Sequence, residues 1–353
     1  MKQFLLEHHY NIRLGYDMQM NTKDEIVDIM DGYEPIGSPP PVLFTQTGTL
    51  ELMQSCGVFW PEANFDAGKM AELALQPSKV LGFATARIPF SVSAEAEAIG
   101  CFINPGRKNS QPYVTGSPWR ANENVGPFDE SIPSIDEFMS HPRIVMMTEA
   151  AEILSRKDLF VTSMCDSPTM VASHVLGMEN MLMGMMIDLN DVREWIDAFV
   201  PHICAMAHEM STLCDNIMII SDLSTDITIP DLIDHLVENN RKILSSIKDS
   251  FTTIHNCGNT IRTIDQIASL GADMVSLETS SNHEEYVEKC KGKMRLMGGV
   301  NTVRTLLNLQ PSDVRRECLY AAELGFSLIA PECGVPPQTP NANLRALSEY
   351  RCV

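Results

Sequence analysis

Two short motifs hold the residues best suited to chemistry. His255-Asn256-Cys257-Gly258 directly follows the apolar run Phe251–Ile254, and Pro331-Glu332-Cys333-Gly334 directly follows Phe326–Ala330. One imidazole and two thiolates make a strong zinc ligand set. The two cysteines lie 76 residues apart. Structural zinc fingers use tight C-x-x-C pairs, so this spacing excludes a compact finger. Three protein ligands with an exchangeable fourth position is the catalytic pattern instead. A plainer reading stands beside it: H-x-C alone is a weak motif, and cysteine is often a buried small hydrophobe. In both motifs a glycine follows the cysteine and allows close approach of backbone or ligand.

The elements that must position these motifs read as an alternating pattern. Candidate strands are Val42–Thr45, Phe83–Ile88, Leu159–Met164, Ile217–Ser221, Phe251–His255, Met274–Glu278, Met294–Gly298 and Phe326–Ala330. Amphipathic segments separate the later ones. Asp231–Lys248 places Leu232, Ile233, Leu236, Ile243 and Leu244 near one face, while Ile261–Leu270 and Ser312–Leu324 are each followed by a glycine that fits a helix stop. Strict strand–helix alternation implies parallel pairing. Eight such strands suit a closed (β/α)8 TIM barrel, whose active sites sit at the C-terminal ends of the strands. Both motifs fall there. An open doubly wound sheet is the competing fold, but neither G-x-G-x-x-G after an early strand nor G-x-x-x-x-G-K-[ST] is present. Gly106 to Phe128 lacks a helical period and reads as a loop or hairpin excursion. Residues 1–40 read as a helical lead-in closed by the Pro-rich segment Pro35 to Pro41, and 41–353 as a single barrel domain.

Other strand ends add candidates for cofactor or substrate contact. Asp222 follows Ile217–Ser221, Glu278 ends Met274–Glu278, and Arg87 lies in Phe83–Ile88. The two acids could equally be helix caps or surface carboxylates. Arg87 could meet an anionic substrate group such as a sulfonate, or form a surface ion pair. Asn259 and Thr260 could cap the helix after the His–Cys motif. Glu95 and Glu97 fit alternating charges on a strand or hairpin edge. His202 and His208 are six apart on a predicted helix and fall on different faces, so they are no metal pair.

Composition narrows the classes of function. The 353 residues are 44% hydrophobic and 20% charged, as in a folded globular protein. The net charge of −20 argues against a general nucleic-acid binder, which needs a basic footprint, and against anionic membranes. No run of about 18 apolar residues occurs. The richest apolar patch, Met181 to Ile187, is far shorter, and the opening MKQFLLEHHYNIRLG lacks the pattern of a secretory signal. Ten scattered cysteines fit a reducing cytoplasm, and the 22 methionines read as adaptable core filler. No internal repeat is visible.

The segments IHNCGNTIRTIDQIASLGADMVSLE and MGGVNTVRTLLNLQPSDVRRECLYAAELGFSLIAPECGVPPQTPNANLRAL closely resemble the uroporphyrinogen decarboxylase superfamily, in its methylcobamide:coenzyme M methyltransferase branch. RIPFSVSAEAEAIGCF and CDSPTMVASHVLG resemble further segments of that branch. The resemblance implies a (β/α)8 barrel with zinc held by His255, Cys257 and Cys333. Asp166 matches the position of a carboxylate that can complete the zinc shell, although a helix N-cap is an equal reading of it. The R-Q-A-G-R-type segment of true uroporphyrinogen decarboxylases is missing, which disfavours porphyrinogen decarboxylation.

The reaction implied is methyl transfer from a methylated corrinoid (methylcobalamin on a small carrier protein) to a thiol, with coenzyme M favoured. A free thiol with a pKa of about 8.5 is mostly protonated at neutral pH, and zinc would make it the thiolate that attacks methyl-cobalt. Homocysteine or a pterin as acceptor, the reverse loading of a corrinoid from a small methyl donor, and a non-enzymatic corrinoid-binding homologue are the alternatives.

Overall fold

The computed structural model describes residues 22–120, 125–279 and 282–352. Its nine strands are β1 (Thr85–Ile88), β2 (Phe102–Asn104), β3 (Tyr113–Gly116), β4 (Phe160–Asp166), β5 (Asn216–Ile220), β6 (Phe251–Asn256), β7 (Met274–Leu277), β8 (Leu296–Val300) and β9 (Leu328–Pro331). Seven form a parallel sheet in the order β1-β4-β5-β6-β7-β8-β9, so each strand lies beside its predecessor in the barrel. β2 and β3 pair antiparallel as the hairpin expected within Gly106–Phe128 and just before it. Residues 121–124 of that excursion lie outside the described residues.

The expected first strand, Val42–Thr45, is not a ladder strand. It touches its neighbours through single bridges, Pro41 to Ile329 and Thr47 to Val335. Val42 N donates to Ile329 O at 2.9 Å, Ile329 N to Pro40 O at 3.1 Å, and Leu43 N to Thr85 Oγ1 at 3.2 Å. Prolines at 39, 40 and 41 remove the N–H groups that a longer ladder would need. This extended segment therefore occupies the eighth position between β9 and β1 and closes the curled sheet into a TIM-like barrel.

Period-two alternation separates two cores. Phe160, Met218, Met274, Met297 and Leu328 point inward, while Val161, Cys165, Ile217, Ile219, Val275 and Leu277 pack under the outer helices. Phe160 stacks between Phe44 and Phe251, with ring centroids 5.3 and 6.2 Å away. Above this apolar floor lies a polar layer: Asn216 Nδ2 donates to Thr162 Oγ1 at 3.3 Å, and Asn216 Oδ1 accepts from Thr253 Oγ1 at 3.0 Å.

The helix Lys23–Met30 plugs the floor from below. Ile26, Ile29 and Met30, spaced three and four apart, join the inner cluster. Thr22 caps its N-terminus, and Lys23 reaches Asp215, just before β5, at 2.7 Å. The N-terminal end of the barrel is thus sealed. Residues 1–21 of the expected lead-in lie outside the described residues. Among the described residues, no single helix is long and apolar enough to cross a membrane.

Phe160→Ala is expected to cost about 3–5 kcal/mol, because it empties a fully buried site between two other rings. Tyr113→Ala, on the exposed hairpin, should change stability by less than about 0.5 kcal/mol. Urea unfolding of both variants checks the contrast.

Candidate metal centre

Strand parity aims His255 inward. It is two residues beyond Thr253 and four beyond Phe251, both on the inner face. It is buried, and its register partner on β7 is Ser276. Ser276 Oγ lies 3.0 Å from His255 Nδ1, and His255 Nε2 lies 3.1 Å from Cys257 Sγ. Cys257 Sγ is 3.2 Å from Cys333 Sγ. The donor atoms of His255, Cys257 and Cys333 all lie within 4.8 Å of one another. Cys257 is exposed, so the group opens to solvent at the barrel mouth.

The donor set fits a borderline-soft cation such as zinc. One nitrogen and two sulfurs converge, and the second imidazole nitrogen is engaged by a hydroxyl, which leaves Nε2 for a metal. Cys333 is drawn down to about 4 by its hydrogen bond from Cys257, against burial and with help from His255. Cys257 is driven up by the same hydrogen bond, by burial and by the neighbouring thiolate.

Glycine is required beside Cys257. Gly258 has φ +75°, and a Cβ there would meet Ser224 Oγ and Asp226 Oδ2 at 2.7 Å. Its N–H donates to Glu278 Oε2 at 2.8 Å, and Asn259 N donates to Asp226 Oδ2 at 2.7 Å.

The remaining expected site residues lie around this group. Asp166 ends β4, fully buried, but its carboxylate is not within the three-donor group. Nor is it a helix cap: Ser167 caps Pro168–Leu176 through Met170 N at 3.0 Å. Both Asp166 carboxylate oxygens lack hydrogen-bond partners, whereas its N–H donates to Glu95 Oε1 at 3.0 Å. Asp222 is buried and accepts from Ser167 Oγ at 2.6 Å. Glu278 is spent on the Gly258 loop.

Arg87 is no surface ion-pair residue. It is buried, donates to Pro89 O and contacts Met164 Sδ, and its Nε has no partner. Glu95 and Glu97 lie on the helix Ala94–Ile99 rather than on a strand edge. Glu97 pairs with Arg143 at 2.8 Å. Asn259 and Thr260 do not cap the next helix, whose first residue is Ile264; Asn259 Oδ1 instead accepts from Ile261 N within the turn. His202 and His208 share the helix Leu189–Ser211 and bind separate carbonyls, of Ala198 and Pro133 and of Ser246.

Burial sets the electrostatics beneath the donors. Asp166 is raised well above the carboxylate range by burial, then by the charges of Glu95 and Asp222, with Arg87 opposing. Glu95 is raised by burial, against the Asp166 N–H. Asp222 is raised to about 6 by burial, against its bond from Ser167. Arg87 is lowered to about 9 by burial, against Asp166, Glu95 and Cys333.

Sequence reasoning missed three residues. Ser276, Thr279 and Glu332 touch His255 or the segments that carry the cysteines. The available signals were a lone serine at inward parity in Met274–Leu277 and an acid directly before Cys333.

A parallel barrel sealed below, with one imidazole and two thiols gathered at its open end, defines a class of barrel protein whose mouth carries a donor set that could hold a metal ion. The uroporphyrinogen decarboxylase (URO-D) family matches residues 21–351, and the chain belongs to that family. Methylcobamide:CoM methyltransferase MtaA of Methanosarcina barkeri is 28% identical over 94% of this chain and 98% of its own length. Methylcobamide:CoM methyltransferase MtbA of Methanosarcina mazei is 30% identical over 90% of this chain and 93% of its own. The solved structure of a methyltransferase from Methanosarcina mazei superposes with a TM-score of 0.85 at 29% identity, covering 94% of this chain and 98% of that one.

Asp222 yields a pH prediction. Its folded pKa lies above the unfolded value, so the folded state binds its proton more tightly. Its contribution to stability therefore falls as pH rises from about 4 to about 6 and is gone at pH 7. Asp222→Asn keeps an acceptor for Ser167 and removes that loss. Relative to the natural protein, it should gain about 2–3 kcal/mol between pH 4 and pH 7.5. Urea unfolding at the two pH values measures the difference.

Proposed function

We propose that this protein is a zinc-dependent methyltransferase that moves a methyl group from a methylated corrinoid, presented by a carrier protein, to a small thiol, with coenzyme M as the favoured acceptor. The observation that carries this is the mutual approach of His255, Cys257 and Cys333 at the open end of the barrel. The similarity to methylcobamide:CoM methyltransferases over nearly the whole chain supports it.

His255, Cys257 and Cys333 would hold the metal. When bound, zinc supplies Lewis acidity that lowers the pKa of an incoming thiol and fixes its place. Two anionic ligands from the chain keep the site electron-rich, which suits alkylation of sulfur better than activation of water. The substrate sulfur attacks the methyl carbon of methyl-Co(III). A carbon–sulfur bond forms, the cobalt–carbon bond breaks with both electrons left on cobalt, and the thiol proton goes to solvent. The products are a thioether and Co(I).

The chain's other residues shape access and binding. The exposed side of Cys257 faces the mouth, where a macrocycle too large to enter the barrel can approach. Arg87, buried close enough to Cys333 to feel its charge, would be the cation that meets an anionic tail. The floor sealed by Lys23–Met30 leaves the mouth as the route of entry.

Zinc-loaded protein mixed with methylcobalamin and coenzyme M should lose the methyl–cobalt absorbance. Cys333→Ser should lower the rate by at least about 100-fold and reduce bound zinc together with it. Unchanged transfer by a zinc-free Cys333→Ser protein would sink the zinc mechanism. Arg87→Met should raise KM for coenzyme M by about 10- to 100-fold, the worth of one hydrogen bond to a charged group, and change kcat much less. The same variant should discriminate little against an uncharged thiol such as 2-mercaptoethanol.

A further inference from the structure

We infer that the C-terminal end of β7, from Ser276 to Thr279, is the positioning element of the candidate metal centre, although it gives that centre no donor atom. The inference rests on the zinc reading above and adds the residues that set its geometry. Ser276 Oγ, at 3.0 Å from His255 Nδ1, orients the imidazole. Glu278 Oε2 accepts at 2.8 Å from Gly258 N, the residue after Cys257. Thr279 donates to Glu332 Oε1 from its N–H at 2.9 Å and its hydroxyl at 2.6 Å, and Glu332 directly precedes Cys333. One four-residue stretch thus grips all three donor-bearing segments.

Burial makes these contacts matter. Ser276 and Thr279 are 0% exposed and Glu332 is 1% exposed. Breaking such a contact leaves a buried polar group unsatisfied. The Thr279 hydroxyl spends its proton on Glu332, so its oxygen accepts from His283 Nδ1 at 2.8 Å. His283 is itself wedged edge-on against Phe326 and Tyr320. Topology shows why a clasp is needed. β6 and β9 are three strand spacings apart, about 14 Å on a flat sheet. Their cysteine sulfurs nonetheless lie 3.2 Å apart. The loops must lean together over β7 and β8, and Glu278 and Thr279 are the groups that tie both of them to β7.

The test uses full-length protein with Ser276→Ala, Glu278→Leu and Thr279→Val, beside the conservative Glu278→Gln and Thr279→Ser. Zinc affinity is measured by chelator competition, and donor geometry by the absorption bands of the Co(II)-loaded protein. Each deletion should weaken zinc binding by about 10- to 100-fold and shift the Co(II) bands, while the conservative pair restores both. A metal-free arm uses phenylarsine oxide, which bridges two thiols as a dithioarsinite with loss of water. Glu278→Leu and Thr279→Val should lose at least about tenfold in arsenical affinity. Their thermal unfolding should stay cooperative, with a midpoint lowered by no more than a few degrees, and their reaction with a monofunctional thiol reagent should stay unchanged. If the natural protein binds the arsenical but no zinc, and the variants lose the arsenical, the metal reading falls and the positioning role stands. Natural affinity for both probes in all three deletion variants overturns the inference. Should the larger replacements fail to fold, Ser276→Ala, which removes one oxygen, decides by the Co(II) bands alone.

Discussion

Two sulfurs separated by 76 residues meet at 3.2 Å, and that closeness is the constraint on which the rest of the structure depends. Strands β6 and β9 carry them, with two further strands between. Only a curled sheet lets loops from such distant strands converge over one mouth. Curling requires that the eighth position be filled, and the chain fills it with a segment that cannot form a full ladder. Prolines 39–41 deny it donors, so Val42 N, Leu43 N and the Pro40 carbonyl make the closing bonds. The stacked rings of Phe44, Phe160 and Phe251 then keep the floor at a fixed width, and the plug helix shields that floor from water.

Polarity rises from floor to mouth. Apolar rings give way to an amide–hydroxyl layer at Thr162, Asn216 and Thr253, and then to charge at Arg87, Asp166 and His255. Near the mouth the balance is acidic: Glu95 and Asp166 act on the one inward arginine of β1, and Asp222 acts on Asp166. Burial raises all three acids, and the charges of Glu95 and Asp222 raise Asp166 further. A buried charge is tolerated when paired and costly when alone. Asp166 and Glu95 favour the charged form of Arg87 against its burial.

Much of this was legible in the sequence because its signals are local. Period-two apolar runs, glycines at helix stops and turn-rich connections mark seven strands to within about two residues. The His–Cys and Cys motifs were visible because each directly follows such a run. The closing segment at Val42–Thr45 read as a strand because its composition is that of one; whether it pairs depends on prolines and partners outside the window. Glu95 and Glu97 read as strand charges because E-A-E-A alternates, yet alanine and glutamate favour helix, and burial of Glu95 against the Asp166 N–H is a tertiary fact. Asp166 illustrates the limit most clearly. Being last on an inward-alternating strand fixes its depth, but whether its carboxylate reaches the donors depends on barrel tilt, which no spacing in the sequence encodes.

The fold by itself leaves the chemistry open, since one barrel serves many reactions. What narrows it is the division of labour among strand ends. The ends of β6 and β9 supply soft donors, β1 supplies a cation, and β4 and the turn after β5 supply buried acids that are not part of the three-donor group. Acids as ligands would favour harder cations and water activation; sulfur ligands favour a softer cation and a thiol. The three-donor group leaves Asp166 outside and takes in both thiols, which is the arrangement expected if the incoming substrate brings sulfur rather than oxygen. β7 contributes no ligand in this scheme, and its polar residues are spent on holding the loops of its neighbours. Lying between the two strands that precede the cysteines, the end of β7 is where both loops can be bonded to one element.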